Sequence, residues 1–286
     1  MGAVALFAHE FMRNALLAGT FVGAACGLVG YFVVLRAQVF AADALSHVAF
    51  AGALAAVAFG VDVRVGLFAA TILVAVGMGG LGERAHADDV AIGTVFAWIL
   101  GLGVLFLAIF TTRSSAGNGT AAVRVLFGSI FGLSGSDASI AAAVSIAAIA
   151  ATLAAARPLF FASLDPDVAA AQGVPVRLLG LGFLAVLGAV AAEATQAVGA
   201  LLLLGLVAAP AAAAHRLARS PYVGLALSTV FAVGAVWLGL TLSYVEARLP
   251  PSTAIISVAT LLLVFAAGGG RAAAALPQRL RRATQR

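Results

Sequence analysis

The stretch NALLAGTFVGAACGLVGYFVVL, residues 14–35, lies between Arg13 and Arg36 and contains no ionised side chain. A helix needs roughly 17–25 apolar residues to cross the hydrocarbon layer of a bilayer, and this run has that length. The same pattern recurs outward from it. Comparable gaps separate Arg64 from Glu83, Asp89 from Arg113, Asp137 from Arg157, Arg219 from Glu246, and Arg248 from Arg271. The gap from Asp43 to Asp62 holds one His, and Arg177 to Arg216 is longer, interrupted only by Glu193. The long stretch reads as two helices with a short turn. The spacing therefore predicts spans near 14–35, 44–60, 65–82, 90–111, 138–156, 178–194, 197–215, 222–244 and 252–269. The expected fold is all-α, a polytopic integral membrane helical bundle of about 8–9 transmembrane helices. No linker divides residues 1–286, which read as a single transmembrane domain.

Composition supports lipid as the solvent. Charged residues make up 9% of the chain and hydrophobic ones 63%, whereas a soluble domain carries about 25% charged residues. All sixteen basic residues are Arg. A P-loop needs a Lys to reach nucleotide phosphates, so an ordinary P-loop ATPase is excluded from this chain. The single Cys26 excludes a disulfide framework or a CxxC metal cluster within one chain. The net charge of +5 is scattered over short loops, which does not suggest nucleic-acid binding. The segment Met1 to Met12 lacks the basic start and small-residue cleavage site of a signal peptide, and is expected to remain in the mature chain.

Arg distribution sets the expected orientation. With a cytoplasmic C-terminus, the inner loops and tail hold Arg36, Arg84, Arg157, Arg177, Arg216, Arg219, Arg271, Arg279, Arg281, Arg282 and Arg286. Only Arg13, Arg64, Arg113, Arg124 and Arg248 fall outside. Nine spans then place the N-terminus outside. The interval 114–137 begins with a polar loop and continues as a short apolar piece, Val125 to Leu133. That piece is too short to span and reads as a surface or re-entrant helix. Gly19, Gly23 and Gly27 recur every four residues, which suits close helix packing.

Ionisable groups inside spans are the informative ones, since an Asp at a helix centre costs about 2.5–3.5 kcal/mol on insertion scales. Asp43-Ala44-Leu45-Ser46-His47 puts a carboxylate and an imidazole one turn apart on one helix face. Those groups suit zinc or manganese. Two copies of the chain would supply four ligands, and Ser46 could orient either group. The alternative makes Asp43 a helix cap and His47 a buried, hydrogen-bonded side chain. Glu193, with Gln196 three residues on, reads either as a pore-lining acid or as the mark of a turn near the outer face. His215, Arg216 and Arg219 read as a helix-end cap and inner anchor. His9-Glu10-Phe11-Met12-Arg13 begins like a zinc-protease helix but has Arg13 where the second His would stand. Glu83 to Asp89 reads as a solvated inner loop. No hydrolase triad is visible.

The loop Leu164-Asp165-Pro166-Asp167-Val168-Ala169-Ala170-Ala171-Gln172-Gly173-Val174-Pro175-Val176-Arg177 has its own logic. Pro166 suits a first helical turn, Asp165 or Asp167 its N-terminal end, and Gly173 with Pro175 its stop. It is either a connector or a docking surface for a soluble partner, on a short helix of about two turns.

Together these pieces resemble the metal-ion permease family of ABC importers, the zinc and manganese uptake group. The likeness is carried by Phe11 to Gly19, by Phe32-Val33-Val34-Leu35-Arg36 leading to Asp43-Ala44-Leu45-Ser46-His47, by Asp88-Asp89-Val90-Ala91-Ile92-Gly93, and by Asp165-Pro166-Asp167 to Gly173-Val174-Pro175. A weaker stretch runs from Gln196 through Pro210. The chain departs from the family at Ala42, where Gly is common, and at Ala51, where Pro is common. The resemblance implies a permease subunit that is not itself an enzyme, working by alternating access in a bacterial plasma membrane. It implies two cytoplasmic ATPase subunits that hold the ATP, an extracytoplasmic metal-binding protein, and pairing of the permease as a homodimer or with a second permease. The metal, Zn2+ or Mn2+, is cargo, and no cofactor is permanently bound. The resemblance puts Asp43 and His47 on the ion path, with Ser46, Glu193 and Gln196 as further candidates. It makes 165–175 the coupling helix, with Asp165, Pro166, Asp167, Ala170, Gly173 and Pro175 meeting the ATPase. Two rival readings remain: a proton-coupled secondary transporter using Asp43 and Glu193 as relays, and a permease for a metal chelate.

Overall fold

A computed structural model describes residues 9–80, 89–113, 128–200, 203–246 and 248–283. The polar loop at Glu83 to Asp88, the loop at 114–119, and Val125 to Phe127 of the expected re-entrant piece lie outside the described residues. Among the described residues every regular element is a helix. In chain order these are α1 Glu10–Leu35, α2 Val39–Phe59, α3 Val63–Gly80, α4 Asp89–Arg113, α5 Gly135–Ala154, α6 Ala156–Leu164, α7 Pro166–Ala171, α8 Val176–Val198, α9 Leu203–Leu217, α10 Pro221–Val245 and α11 Pro251–Ala283. A 3-10 turn, Ile130–Gly132, precedes α5.

Each expected span corresponds to one apolar helix, except that the expected start at 197 falls in the end of α8 and α9 begins at Leu203. Seven are long and apolar enough to cross a bilayer, while α3 and α9 are shorter apolar helices. The protein is a multi-pass helical membrane protein. α2 begins at Val39, five residues before the expected start, so Asp43 lies inside the helix and caps nothing. The turn expected near Glu193 comes later, because α8 runs on to Val198 and ends at Gly199, whose φ of 98° breaks the helix. The expected Val125–Leu133 helix contributes only the 3-10 turn among its described residues.

α1 forms the centre of the bundle and packs against α5, α8, α9 and α10. The glycine series allows this. A Cβ on Gly27 would stand 2.6 Å from the Ser228 carbonyl oxygen and 2.8 Å from the Ala232 methyl, both on α10, and Gly23 faces the same helix. The Ser228 hydroxyl donates to the Gly27 carbonyl across this contact, at 2.5 Å. A second close crossing joins α2 to α3, where a Cβ on Gly52 would meet the Gly66 carbonyl oxygen at 2.5 Å. Small residues let the backbones approach, and in lipid that approach supplies the packing that drives helix association. By contrast α4 packs chiefly on α2. Its spanning stretch is 17% buried, against 72% for α1, so α4 stands at the edge of the chain.

Candidate functional site

α1 and α2 are joined by the three residues Arg36, Ala37 and Gln38. The Gln38 amide donates to the Val33 carbonyl (2.8 Å) and the Ala37 amide to the Val34 carbonyl (3.2 Å). This is a Schellman closure of α1, with Ala37 in the left-handed position (φ 54°) that glycine ordinarily takes. The tight turn reverses the chain, so that α2 starts at once and carries Asp43 and His47 in its second and third turns.

Asp43 and His47 are both half-buried on α2. Their spacing puts them on one face, with Cβ atoms about 5–6 Å apart. The His47 ring meets Phe96 of α4 edge-on, with centroids 5.1 Å apart. Among the described residues neither side chain has a hydrogen bond or ion pair. Ser46 does not serve them. It is fully buried, and its hydroxyl donates to the backbone carbonyl of Asp43 (2.7 Å). Among the described residues no group of three or more His, Cys, Asp and Glu side chains could hold a metal. Among the described residues the pair thus offers two donors, a carboxylate oxygen and an imidazole nitrogen.

Glu193 and Gln196 belong elsewhere. Both lie near the end of α8, at the end of the bundle that also holds the starts of α3 and α5. Arg64 of α3 joins them. Its guanidinium lies 3.5 Å from a carboxylate oxygen of Glu193 and 3.5 Å from one of Asp137 on α5. It also donates to the Gln196 side-chain oxygen (3.2 Å) and to the Asp137 carbonyl (3.5 Å). Glu193 is only 2% exposed. Three polar atoms of the cluster remain without a partner: Glu193 Oε2, Gln196 Nε2 and Arg64 Nε. Glu193 lies inside α8 rather than at a turn. The arrangement is an ionic tie across three helices, buried at Glu193 and partly exposed at Asp137. The sequence alone puts Arg64 in a loop and makes Asp137 only the boundary of a gap. The available signal is topological: with nine alternating spans, positions 64, 137 and 193 all fall at the same end.

At the opposite end, Asp165 caps α7 by accepting from the Val168 amide (3.0 Å), with Pro166 in the first turn and Gly173 at φ 83° after the stop. Pro175 serves as the N-cap residue of α8. α7 has six residues, fewer than the two turns expected, and except for Ala169 its side chains are exposed. Leu164 and Val168 add apolar exposure, 68% and 44%. His215, at the end of α9, bonds through Nε2 to the Tyr31 carbonyl (3.1 Å) and stacks on the Tyr31 ring with centroids 4.1 Å apart. It therefore ties α9 to α1, a contact that its helix-end position alone does not reveal. Nearby, Arg36 donates to the Ser163 hydroxyl on α6 (3.3 Å), and its guanidinium lies 5.5 Å from the centre of the Phe183 ring on α8. Burial lowers the Arg36 pKa from its ordinary value by desolvating the charged form.

Comparisons with known proteins agree with this architecture. The chain is 28% identical over 258 residues to the manganese transport system membrane protein MntC of Listeria monocytogenes, covering 90% of each chain. It is 28% identical over 240 residues to the chelated iron transport system membrane protein YfeD of Yersinia pestis, covering 83% of this chain and 78% of that one. The structure of PsaBC from Streptococcus pneumoniae in complex with Fab superposes with a TM-score of 0.79 at 27% identity, covering 92% of this chain and 93% of that chain. The model of the ABC 3 transport family matches residues 8–268, and the chain belongs to that family.

Proposed function

We propose that this chain is the membrane subunit of an ATP-driven importer for a divalent transition-metal ion, manganese or zinc, and that Asp43 and His47 hold the ion in transit. One observation carries the reading: a carboxylate and an imidazole share a face of an apolar helix and have no hydrogen-bond or ion-pair partner among the described residues. An uncompensated Asp inside a span is costly, and a passing cation compensates it. The donor types favour transition metals. Zinc takes four ligands and the described residues of one chain supply two, so a second copy or a paired permease completes the site. The manganese and iron systems named among the relatives support a metal cargo.

The exposed turn α7, with Leu164 before it and Val168 within it, suits a seat on a cytoplasmic ATPase, and Asp165, Pro166, Asp167, Ala170, Gly173 and Pro175 give it its shape. ATP hydrolysis then belongs to the partners, and an extracytoplasmic metal-binding protein delivers the ion. In a bacterial plasma membrane, the Arg bias puts α7 and the C-terminus inside. Alternating access follows, with partner movement at α7 shifting the helices around the Asp43–His47 pair.

The test is uptake of Mn2+ or Zn2+ into vesicles containing the chain with its ATPase and binding protein. Uptake should require ATP. Uptake without ATP would favour a proton-driven carrier. The relative named for chelated iron favours a second cargo. If a metal chelate outcompetes the free ion, the cargo is the chelate.

A further inference from the structure

The turn between α1 and α2 is tied sideways to the segment leading into α7. Arg36 closes α1, reaches the Ser163 hydroxyl of α6 at 3.3 Å, and lies against Phe183 of α8 at 5.5 Å. The Ser163 hydroxyl donates in turn to the Leu159 carbonyl, so it is held in place on its own helix. One residue, Asp165, separates α6 from α7. On the other side, Ala37 and Gln38 separate Arg36 from α2. Phe160 of α6 packs at 4.7 Å from Phe32 and 5.9 Å from Tyr31, in the last two turns of α1. Ala37, a non-glycine in the left-handed region, holds a backbone conformation that persists only where its surroundings enforce it. The short rigid links leave little slack between a push on α7 and the position of α2.

We infer that Arg36 is a positioning residue for transport: it transmits movement of α6 and α7 to α2, and so to the Asp43–His47 pair. The inference rests on the reading of α7 as the ATPase contact. Arg36 touches neither carboxylate nor imidazole, so its loss should uncouple hydrolysis from movement rather than abolish ion binding. The planar, permanently charged guanidinium serves both the hydroxyl and the ring, which Lys cannot do together.

The test uses the full chain assembled with its ATPase in vesicles, with Mn2+ as the probe. Arg36→Gln should keep ATP hydrolysis and Mn2+ binding within about twofold of the parent. Ions moved per ATP should fall at least tenfold, with Arg36→Lys intermediate. A fluorophore on Phe40→Cys, an exposed position at the start of α2, gives a readout independent of cargo, and the native Cys26 is buried. Its nucleotide-driven signal should disappear in Arg36→Gln. An unchanged ion-to-ATP ratio, or an unchanged signal at position 40, overturns the inference. If Arg36→Gln fails to assemble, Ser163→Ala cuts the same link more gently and should lower the ratio about threefold; no change there also overturns it. Failure of the parent assembly to move Mn2+ counts against the proposed function, and the position-40 signal still decides the role of Arg36.

Discussion

Asp43 and His47 sit one turn apart because α2 is helical through both, and that spacing is local enough to read directly from sequence. Replacing either by Ala should remove ATP-dependent uptake while leaving the fold intact. Loss of a hydrogen bond behind a ligand already costs about 10–100-fold in metal affinity, so loss of the ligand itself should cost more; radiotracer uptake measures it. The Arg64–Glu193–Asp137 tie is not legible in the same way, since its members are separated by up to about 130 residues and meet only through packing. Glu193 stands out as a lone acid in a long apolar run, but nothing local shows its partner. Arg64→Ala leaves that carboxylate buried beside Asp137 and unpaired. The expected cost is about 3–5 kcal/mol, read as a lower Tm in detergent. Arg64→Met with Glu193→Gln should recover much of the loss. A double variant no more stable than Arg64→Ala would show that the tie is not what holds these helices.

Among elements, helix existence is legible and helix ends are not. Gaps between charges mark nine apolar helices, because ionised groups are excluded from lipid wherever no cavity or partner receives them. The ends depend on backbone closure. α2 starts five residues early because Ala37 adopts the left-handed turn without a glycine to announce it, and α8 outruns its expected end at Ala194 by four residues because the break comes only at Gly199. Glycines separate into two kinds. Gly27→Leu should drive α1 from α10, since even a Cβ lies 2.6 Å from a carbonyl oxygen, and should abolish expression of folded protein. A methyl group on Gly182 would meet nothing within 4 Å, so Gly182→Ala should be neutral or gain up to about 1 kcal/mol from helix propensity. On α7, Asp165→Ala removes a cap worth about 1 kcal/mol. It should weaken co-purification of the ATPase while sparing the bundle.

At the scale of the molecule, the Arg64 cluster and α7 lie at opposite ends of α8, and the Arg bias predicts opposite sides of the membrane for them. Asp62→Cys should react with an impermeant maleimide from outside intact cells, and Asp167→Cys only after lysis; the reverse pattern would invert the topology. The edge position of α4, beside the Asp43–His47 face, leaves room for a second chain to complete the ligand set. Mn2+ bound by the purified protein tests most directly whether this pair holds the travelling ion, with folding of each variant checked by its Tm. About one ion per two chains should bind to the parent and none to folded Asp43→Ala or His47→Ala. Undiminished binding by both folded variants would contradict that role.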